Sequence, residues 1–285
     1  MASSVSSTKI IKIGAQGQEN VPDLVAIEEP LEIRLGIGSL NQREQVSLSV
    51  TMRTPGHDKE LAIGFLFTER IIADISEVNS IEYCETVKPD EKGNVIRIEL
   101  SSEVKVDEEK LSRHFYTSSS CGVCGKSSIE AIKVEIPEIK TSFVKVGASL
   151  VCKLPDVLKQ AQKVFEHTGG LHACGFFELD GSLIRLREDV GRHNAVDKLI
   201  GSLLIEKKLP AVNQILVLSG RISFELVQKA ARAGIQFIAA IGAPSSLAIE
   251  MAKKHQITMV GFLKNSSFNI YSGEERIDIE DGICN

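Results

Sequence analysis

The chain has 285 residues, of which 43% are hydrophobic and 25% charged, and its formal net charge is −5. This balance is typical of a folded globular protein and excludes a largely disordered one. The acidic charge argues against a protein whose main role is to coat nucleic acid. The polar first eight residues lack the pattern of a secretory signal, and no segment approaches a membrane span of about 20 apolar residues. Six cysteines are too few for a disulfide scaffold, so we expect a reducing, cytoplasmic location.

Alternating apolar and polar residues predict strands in the first half of the chain. This period of two occurs at residues 31–35, 46–50, 80–84 and 95–100. Between these segments, Pro55 and Gly56 interrupt the chain, and Asp58 can cap a helix that ends near Arg70. We therefore predict a β-rich N-terminal part over residues 1–141.

The second half predicts a different organisation, in which helices and strands alternate. A helix is predicted over residues 156–167, a hairpin turns on Asp180 and Gly181, and a further helix follows. The remaining strands and helices alternate over residues 215–218, 224–233, 237–241, 246–255 and 258–262. Short links between such elements require parallel strands and right-handed crossovers. We therefore predict an α/β domain over residues 142–285 and an α/β fold class for the chain (α+β overall).

Cys121 and Cys124 form a close cysteine pair in a segment rich in Ser and Gly, which predicts an exposed loop. Sulfur chemistry requires a thiolate, and a free thiol with a pKa of about 8.5 is little ionised at neutral pH. The exposed N–H groups of Gly122 and Gly125 and the charge of Lys126 favour the anion. A second thiol three residues away can share or resolve a sulfur atom held on the first. Thiol or persulfide chemistry is therefore predicted, with half of a zinc site, a redox disulfide and a structural role as alternatives.

The ends of three predicted strands are polar. These segments lie at residues 219–221, 242–245 and 264–265. In open parallel sheets ligands bind beyond the carboxyl ends of the strands, and the free N–H groups of a helix start favour anions. With Arg221 and Lys264 as countercharges, the three ends together predict a ligand that carries phosphate or pyrophosphate. Ordinary loop chemistry, with Ser as N-cap and Pro in the first helical turn, is the alternative.

Two further polar clusters occupy residues 168–172 and 188–194. The second precedes a helix, and the four-residue spacing of His193 and Asp197 allows their side chains to pair on one helical face. A solvated helix start and a ligand site both fit this cluster.

Along nearly its whole length the chain resembles the formate dehydrogenase accessory sulfurtransferases, the FdhD family. The motifs that carry this resemblance occupy residues 53–65, 121–125, 168–173, 188–195, 219–221, 243–244 and 261–262. Separated motifs in the family's order are much more specific than the cysteine pair alone. Two departures are Cys174, where a small residue is expected, and Ser245, where threonine is usual.

The resemblance implies a cytoplasmic homodimer that accepts persulfide sulfur from a cysteine desulfurase. It implies that the sulfur passes to Mo-bis(molybdopterin guanine dinucleotide), a bound substrate, before that cofactor enters apo-formate dehydrogenase. It also implies a three-layer C-terminal domain similar to the cytidine deaminase fold. By motif, Cys121 bears the persulfide and Cys124 is its catalytic partner. The expected cofactor-binding residues are Phe262, Leu263, Lys264, Asn265, Ser266, Ser267, Ser219, Gly220, Arg221, Arg192 and His193. We expect no permanently bound metal, no nucleic acid and no membrane partner.

Two other functions fit parts of the sequence. A zinc-dependent nucleobase deaminase needs H-x-E followed by P-C-x-x-C, but residues 172–174 lack the Glu and Ser120 replaces the Pro. A non-catalytic chaperone would bind the molybdenum cofactor and the apo-enzyme, with only structural cysteines. The variant Cys121→Ala distinguishes this chaperone from a sulfur carrier.

Overall fold

The computed structural model describes residues 3–15, 17–39, 42–104, 106 and 144–280. The first element is a two-stranded antiparallel ribbon of β1 (Val5–Gly14) and β2 (Gly17–Ala26). The ribbon forms a sheet of its own, hydrogen-bonded to no other strand in the described part of the chain. The sequence analysis predicted neither strand.

The second sheet has four strands and confirms the strands predicted for the first half. These are β3 (Glu29–Ile37), β4 (Glu44–Arg53), β5 (Val78–Tyr83) and β6 (Val95–Leu100), in the order β4-β3-β6-β5. Strands β3 and β6 are parallel, and the other two pairs are antiparallel. Leu31, Ile33 and Leu35 alternate along β3 and are buried, because one face of this sheet covers a helix layer.

Helix α1 (Asp58–Thr68) connects β4 to β5 and confirms the helix predicted there. Its first turn carries Asp58 and Glu60, which suit the positive end of the helix dipole. It ends just before Arg70, whose φ of 64° is left-handed. Gly64 lies in a part of the helix that is buried nearly all round, so α1 is an internal element that packs against the C-terminal half.

The C-terminal half is built on a six-stranded sheet. The helices and strands of the C-terminal half are β7 (Val146–Gly147), α2 (Ala148–Ala161), α3 (Lys163–Thr168), β8 (His172–Glu178), β9 (Leu183–Asp189), α4 (Arg192–Ile205), β10 (Gln214–Leu218), α5 (Phe224–Arg232), β11 (Phe237–Ala240), α6 (Ser246–Lys254), β12 (Thr258–Lys264), β13 (Ser267–Ser272) and β14 (Ile277–Asp278). The order of the large sheet is β13-β12-β11-β10-β8-β9. Strands β10, β11 and β12 are parallel, as predicted, and the flanking strands are antiparallel.

Helices cover both faces of this sheet, which gives the C-terminal half three layers. Leu216 and Leu218 of β10 point into a core shared with α4, α5 and α6, and this core continues to α1 and the four-stranded sheet. Ile215 and Val217 point to the other face, which packs on Leu158 and its neighbours in α2. Mixed helices and sheets in this arrangement confirm the α/β fold class (α+β overall).

Helix α2 differs from its prediction in position. The sequence predicted one helix over residues 156–167, but α2 begins at Ala148 and the chain breaks at Gln162 before α3. Pro155 lies inside α2. The first half of the buried stripe, which includes Val151 and Leu154, is helical because it packs on the large sheet.

Candidate functional site

The carboxyl ends of β10, β11 and β12 are joined edge to edge by backbone hydrogen bonds. The Gly242 N–H donates to the Gly220 carbonyl at 3.2 Å, and the Phe262 N–H donates to the Gly242 carbonyl at 3.1 Å. Ser219 is fixed from the other side, since its N–H donates to the Ala173 carbonyl and its Oγ accepts from the Ala173 N–H. Residues 219–221, 242 and 262 therefore form one continuous strip, which we call the strand-end edge.

Glycines keep the strand-end edge open and closely packed. A Cβ on Gly242 would lie 2.8 Å from backbone atoms of Gly220 and Arg221, and one on Gly220 would lie 3.2 Å from Nδ1 of His172. The absence of these side chains leaves the backbone accessible to a ligand. The guanidinium-bearing side chain of Arg221 is exposed beside them.

Phe262 is the most unusual residue of the strand-end edge. Its φ of 51° is left-handed, and its side chain is 46% exposed. A large apolar residue in this conformation costs about 1–3 kcal/mol and persists where the surrounding structure imposes it. Here the strand pairing between β12 and β13 is irregular from Gly261 to Lys264, which turns the phenyl ring outwards.

The side chains of the residues after Phe262 do not all lie on the same side as the strand-end edge. Leu263 is buried on the opposite face of the sheet, in the core with α2. Lys264 and Ser267 are exposed and pair across a two-residue turn, at whose tip Asn265 Nδ2 donates to Asp156 of α2 at 2.7 Å.

His172, which the sequence-based site left out, lies at the strand-end edge. It begins β8 and faces Gly220, and the sequence signals for it were the turn at residues 168–172 and the family motif at residues 168–173. Burial lowers the pKa of His172, the neighbouring Arg192 and His193 lower it further, and the Asp189 charge opposes them. The imidazole is therefore neutral at neutral pH and presents a donor and an acceptor.

Arg192 and His193 start α4 close to His172. The Nε of Arg192 is buried and has no hydrogen-bond partner in the described part of the chain. His193 Nε2 lies 3.2 Å from Ser223 Oγ and 3.0 Å from Glu225 Oε2, next to the loop that follows β10. The structure thus brings both residues towards the strand-end edge.

The pairing of His193 with Asp197 is wrong. Asp197 instead accepts hydrogen bonds from Lys229 Nζ at 2.8 Å and from Thr68 Oγ1 at 2.8 Å, while His193 pairs with Glu225. The two side chains do not pair because α4 is buried nearly all round and both meet partners on other helices, Glu225 of α5 for His193 and Lys229 of α5 with Thr68 of α1 for Asp197.

Two polar residues of the cluster at 188–194, Asp189 and Asn194, join the two halves of the protein. Asp189 is fully buried and forms an ion pair with Lys198 Nζ at 2.7 Å. It also accepts from the N–H of Thr54 and from Nδ2 of Asn194, at 3.2 and 3.0 Å. These bonds tie α4 to the segment that precedes α1.

The segment before α1 is itself held by a buried ion pair. Arg53 donates through Nε and Nη2 to the carboxylate of Asp58, with Nη2 and Oδ2 at 3.0 Å, and both side chains are almost fully buried. The hydroxyl of Tyr83 donates to the same carboxylate at 2.9 Å. Burial raises the pKa of Tyr83 to about 12, and the Asp58 charge contributes to this rise. The polar residues of this motif thus have a structural role.

Cys121 and Cys124 lie outside the described residues. Cys174 is near the strand-end edge but fully buried, and burial strongly raises the pKa of its thiol, with the Asp197 charge adding to the rise. A buried, protonated thiol is a poor nucleophile. Cys174 is therefore not suited to compete for sulfur.

The described residues contain neither a cluster suited to a metal ion nor a helix suited to a membrane. Within these ranges, no group of three or more His, Cys, Asp or Glu side chains is placed to hold a metal ion. No helix in the same ranges has the length and apolar content needed to cross a membrane.

The fold and the strand-end edge define an α/β protein with the architecture that places ligands beyond the carboxyl ends of parallel strands. Comparison with known proteins then gives the family. The chain belongs to the FdhD/NarQ family, whose model matches residues 26–278.

Similar proteins extend over almost the whole chain. The sulfur carrier protein FdhD of Streptomyces coelicolor is 44% identical over 96% of this chain and 96% of its own length. The proteins of the same name from Mycolicibacterium paratuberculosis and Sulfurisphaera tokodaii are 46% and 42% identical, over 90% and 96% of this chain and 92% and 99% of their own lengths. A crystal structure described as a formate dehydrogenase accessory protein from Desulfotalea psychrophila is 25% identical, with a TM-score of 0.73 over 97% of this chain and all of that one.

Proposed function

We propose that this protein is a sulfur carrier that serves formate dehydrogenase. In this proposal, Cys121 receives sulfur from a cysteine desulfurase as a persulfide. The sulfur then passes to Mo-bis(molybdopterin guanine dinucleotide), a substrate bound at the strand-end edge, before the cofactor enters the apo-enzyme. The proposal includes a cytoplasmic location and a homodimer.

The observation that carries the proposal is the likeness to proteins named sulfur carriers, at 42–46% identity over at least nine-tenths of this chain. Proteins this similar over nearly their full length share a fold, which supports proposing the same role for this chain. The name of the Desulfotalea protein supports the link to formate dehydrogenase.

The strand-end edge supports the proposed substrate class. Gly220 and Gly242 leave the backbone accessible to a diphosphate, and Arg221 supplies countercharge. The exposed ring of Phe262 offers a surface on which a guanine base can stack. The edge therefore combines the groups that a guanine dinucleotide needs.

The proposed sulfur transfer takes place in two steps. The Cys121 thiolate attacks the outer sulfur of the desulfurase persulfide, so one S–S bond breaks as another forms and the desulfurase thiolate leaves. The Cys124 thiolate then attacks Cys121, which forms a disulfide and releases the outer sulfur as sulfide for the cofactor. The two thiols supply the two electrons that reduce this sulfur, and a cellular thiol reductant restores the pair.

Intact mass after incubation with a cysteine desulfurase and cysteine tests the carrier. Wild type should gain the mass of sulfur, Cys121→Ala should not, and Cys124→Ala should retain the adduct. The matched control Cys84→Ala removes a thiol from the end of β5 and should load like wild type. No adduct on wild type, with guanine nucleotide binding intact, would favour the non-catalytic chaperone instead.

Binding of guanosine diphosphate tests the substrate edge separately. The double variant Arg221→Ala/Lys264→Ala should bind this nucleotide at least about tenfold more weakly, since each lost charge contact to a phosphate costs roughly 1 kcal/mol or more. The double variant Lys253→Ala/Lys254→Ala removes two exposed charges at the far end of α6 and should bind normally. Unchanged affinity in the first variant would place the ligand elsewhere.

A further inference from the structure

His172 lies in the middle of the polar end of the large sheet. It begins β8, the strand between β10 and β9, and its side chain is partly buried. The ring faces Gly220, since a Cβ on this glycine would lie 3.2 Å from Nδ1 and 3.4 Å from Cε1 of the imidazole. The missing side chain at position 220 therefore makes room for the ring, which lies beside backbone that a ligand can reach.

The ring nitrogens of His172 are available to a ligand. Neither has a hydrogen-bond partner among the residues that the structure describes. The neighbouring imidazole of His193 is engaged, because its Nε2 lies 3.0 Å from Glu225 Oε2 and 3.2 Å from Ser223 Oγ. Partly buried polar groups are usually hydrogen-bonded in a folded protein. A bound molecule can supply the partner that the described residues do not provide for His172.

The charges around His172 favour an anion as that partner. Arg192, at the start of α4, acts on the ring, and Arg221 is exposed in the loop after β10. Asp189, at the end of β9, is the acidic group that acts on the ring, but its charge is offset by the ion pair with Lys198 at 2.7 Å. A phosphate oxygen accepts the hydrogen bond that an imidazole N–H donates, so a phosphate group satisfies both the ring and its surroundings.

The position of His172 also matches the length of the proposed ligand. Neighbouring strands lie about 4.8 Å apart, so β8 is roughly 14 Å from β12, with β10 and β11 between them. A nucleoside diphosphate extended along the strand-end edge covers a comparable length. With its base on Phe262, its phosphates run past Gly242 and Gly220 towards His172.

We propose that His172 is a phosphate-binding residue of the strand-end edge, and that its imidazole takes up a proton from the solvent when the diphosphate of the ligand binds. This inference rests on the proposed function, since it requires a guanine nucleotide at this edge. It adds a residue and a proton to that site, and it makes binding of the nucleotide depend on pH.

The proton uptake follows from the change in surroundings that the ligand brings. In the free protein, burial and the neighbouring Arg192 and His193 hold the pKa of His172 below its usual value, against the Asp189 charge. The free ring is therefore neutral at neutral pH. A phosphate anion at hydrogen-bond distance favours the charged ring and raises this pKa in the complex. The affinity should therefore rise as the pH falls through the pKa of the complex, and level off below the pKa of the free protein.

Calorimetric titration of the full chain with guanosine diphosphate tests the proposal. The phosphates of the nucleotide also titrate, so wild type is compared with His172→Gln, which shares this background and keeps a neutral donor. The ratio of the two affinities should rise about tenfold between about pH 8 and pH 6, as expected for a rise of about one unit in the pKa. In buffers of different ionisation enthalpy, wild type should take up more protons per nucleotide than His172→Gln.

His255→Gln is the matched control. His255 is also a partly buried histidine with a lowered pKa, but it follows the last residue of α6, whereas the strand-end edge adjoins the start of that helix. This variant should match wild type in affinity and in proton uptake at every pH.

Nuclear magnetic resonance of the unaltered protein complements the variants. The imidazole signal of His172 should titrate at higher pH when guanosine diphosphate is present. Equal proton uptake by wild type and His172→Gln, a ratio of affinities that does not change with pH, or an unshifted titration of His172 would each overturn this inference and leave nucleotide binding intact. Absence of binding to wild type would overturn both the inference and the proposed substrate site, so the two failures are distinguishable.

Discussion

At the scale of single residues, charged side chains at the junction between α1 and the large sheet determine how the halves are joined. Glu60 accepts from Arg187 Nη2 at 2.8 Å and lies 3.3 Å from Nδ1 of His57. Burial raises the pKa of Glu60, but hydrogen bonds from Arg187 and His57, together with their charges, lower it to about 2. The ionised carboxylate is therefore stabilised by folding.

A prediction on pH follows from the lowered pKa of Glu60. Its stabilising effect is fully present above the unfolded value of 4.5 and is lost as the pH falls through the folded value of about 2. Glu60→Gln should reduce the free energy of unfolding at neutral pH by about 1.5–3 kcal/mol, the usual range for hydrogen bonds to charged groups. Urea unfolding at several pH values should show the difference from wild type shrinking as the pH drops below 4.5.

Glu206→Gln provides the control for this experiment. Glu206 also pairs with Arg185 and Lys208, but these contacts are at the surface, where ion pairs contribute little. The variant should unfold almost like wild type. A pH-independent difference for Glu60→Gln would show that its effect comes from packing and not from charge.

The motif residues also show which contacts a local sequence pattern does not predict. The types and spacing of residues 188–194 fitted a ligand site and a helix start equally well. In the structure, Asp189 lies instead at the junction between the two halves, because the N–H of Thr54, which is 135 positions away in the chain, donates to it. The pairing of a buried charge depends on such distant partners, which a local pattern does not contain. The strand-end edge was predictable because parallel strands bring their ends together by topology.

At the scale of elements, the crossing of α1 and α4 depends on two glycines. A Cβ on Gly64 would lie 1.8 Å from the Asp197 carbonyl oxygen, and one on Gly201 would lie 1.9 Å from that of Glu60. The neighbouring atoms are backbone and cannot rotate away. The two helices therefore touch backbone to backbone at this point.

Substitution of either glycine by alanine should destabilise the protein, which is the opposite of the usual effect of this substitution in a helix. In a helix interior Gly→Ala normally stabilises by about 1 kcal/mol. Here Gly64→Ala and Gly201→Ala should each destabilise by about 3 kcal/mol or more, since the helices must separate. Urea unfolding measures both, and Gly14→Ala, where nothing lies within 4 Å, should be nearly neutral. Stabilisation by Gly64→Ala would mean that the helices are not in close contact.

The elements themselves differ in how far the sequence predicted them. β6 matched residue for residue, and the alternating strands and helices from residue 214 to 264 matched within a few residues, because each buries a regular apolar pattern. The β1–β2 ribbon was missed since its apolar residues have no core to face in the single chain. The start of α2 was missed because Pro155 lies inside a helix whose packing on the large sheet compensates for the lost hydrogen bond.

At the scale of the whole molecule, one apolar core links the four-stranded sheet to the six-stranded sheet. Leu31 of β3 and Ile238 of β11 belong to the same buried cluster, with Leu199 of α4 between the two sheets. The ion pair of Lys198 with Asp189 lies at the same junction and is almost completely buried. Both sheets thus contribute buried residues to one continuous cluster. Residues on both sides of the predicted boundary near residue 142 therefore belong to one hydrophobic core.

This continuity predicts that both halves unfold together. Hydrogen exchange at increasing urea, read by mass spectrometry, should show peptides from β3–β6 and from β8–β12 losing protection at the same urea concentration. Lys198→Ala leaves Asp189 as a buried, uncompensated charge, which costs about 3–5 kcal/mol. The variant should therefore shift both sets of peptides to lower urea by the same amount. If only the peptides of β8–β12 shift, the two halves are independent folding units and the shared core does not couple them.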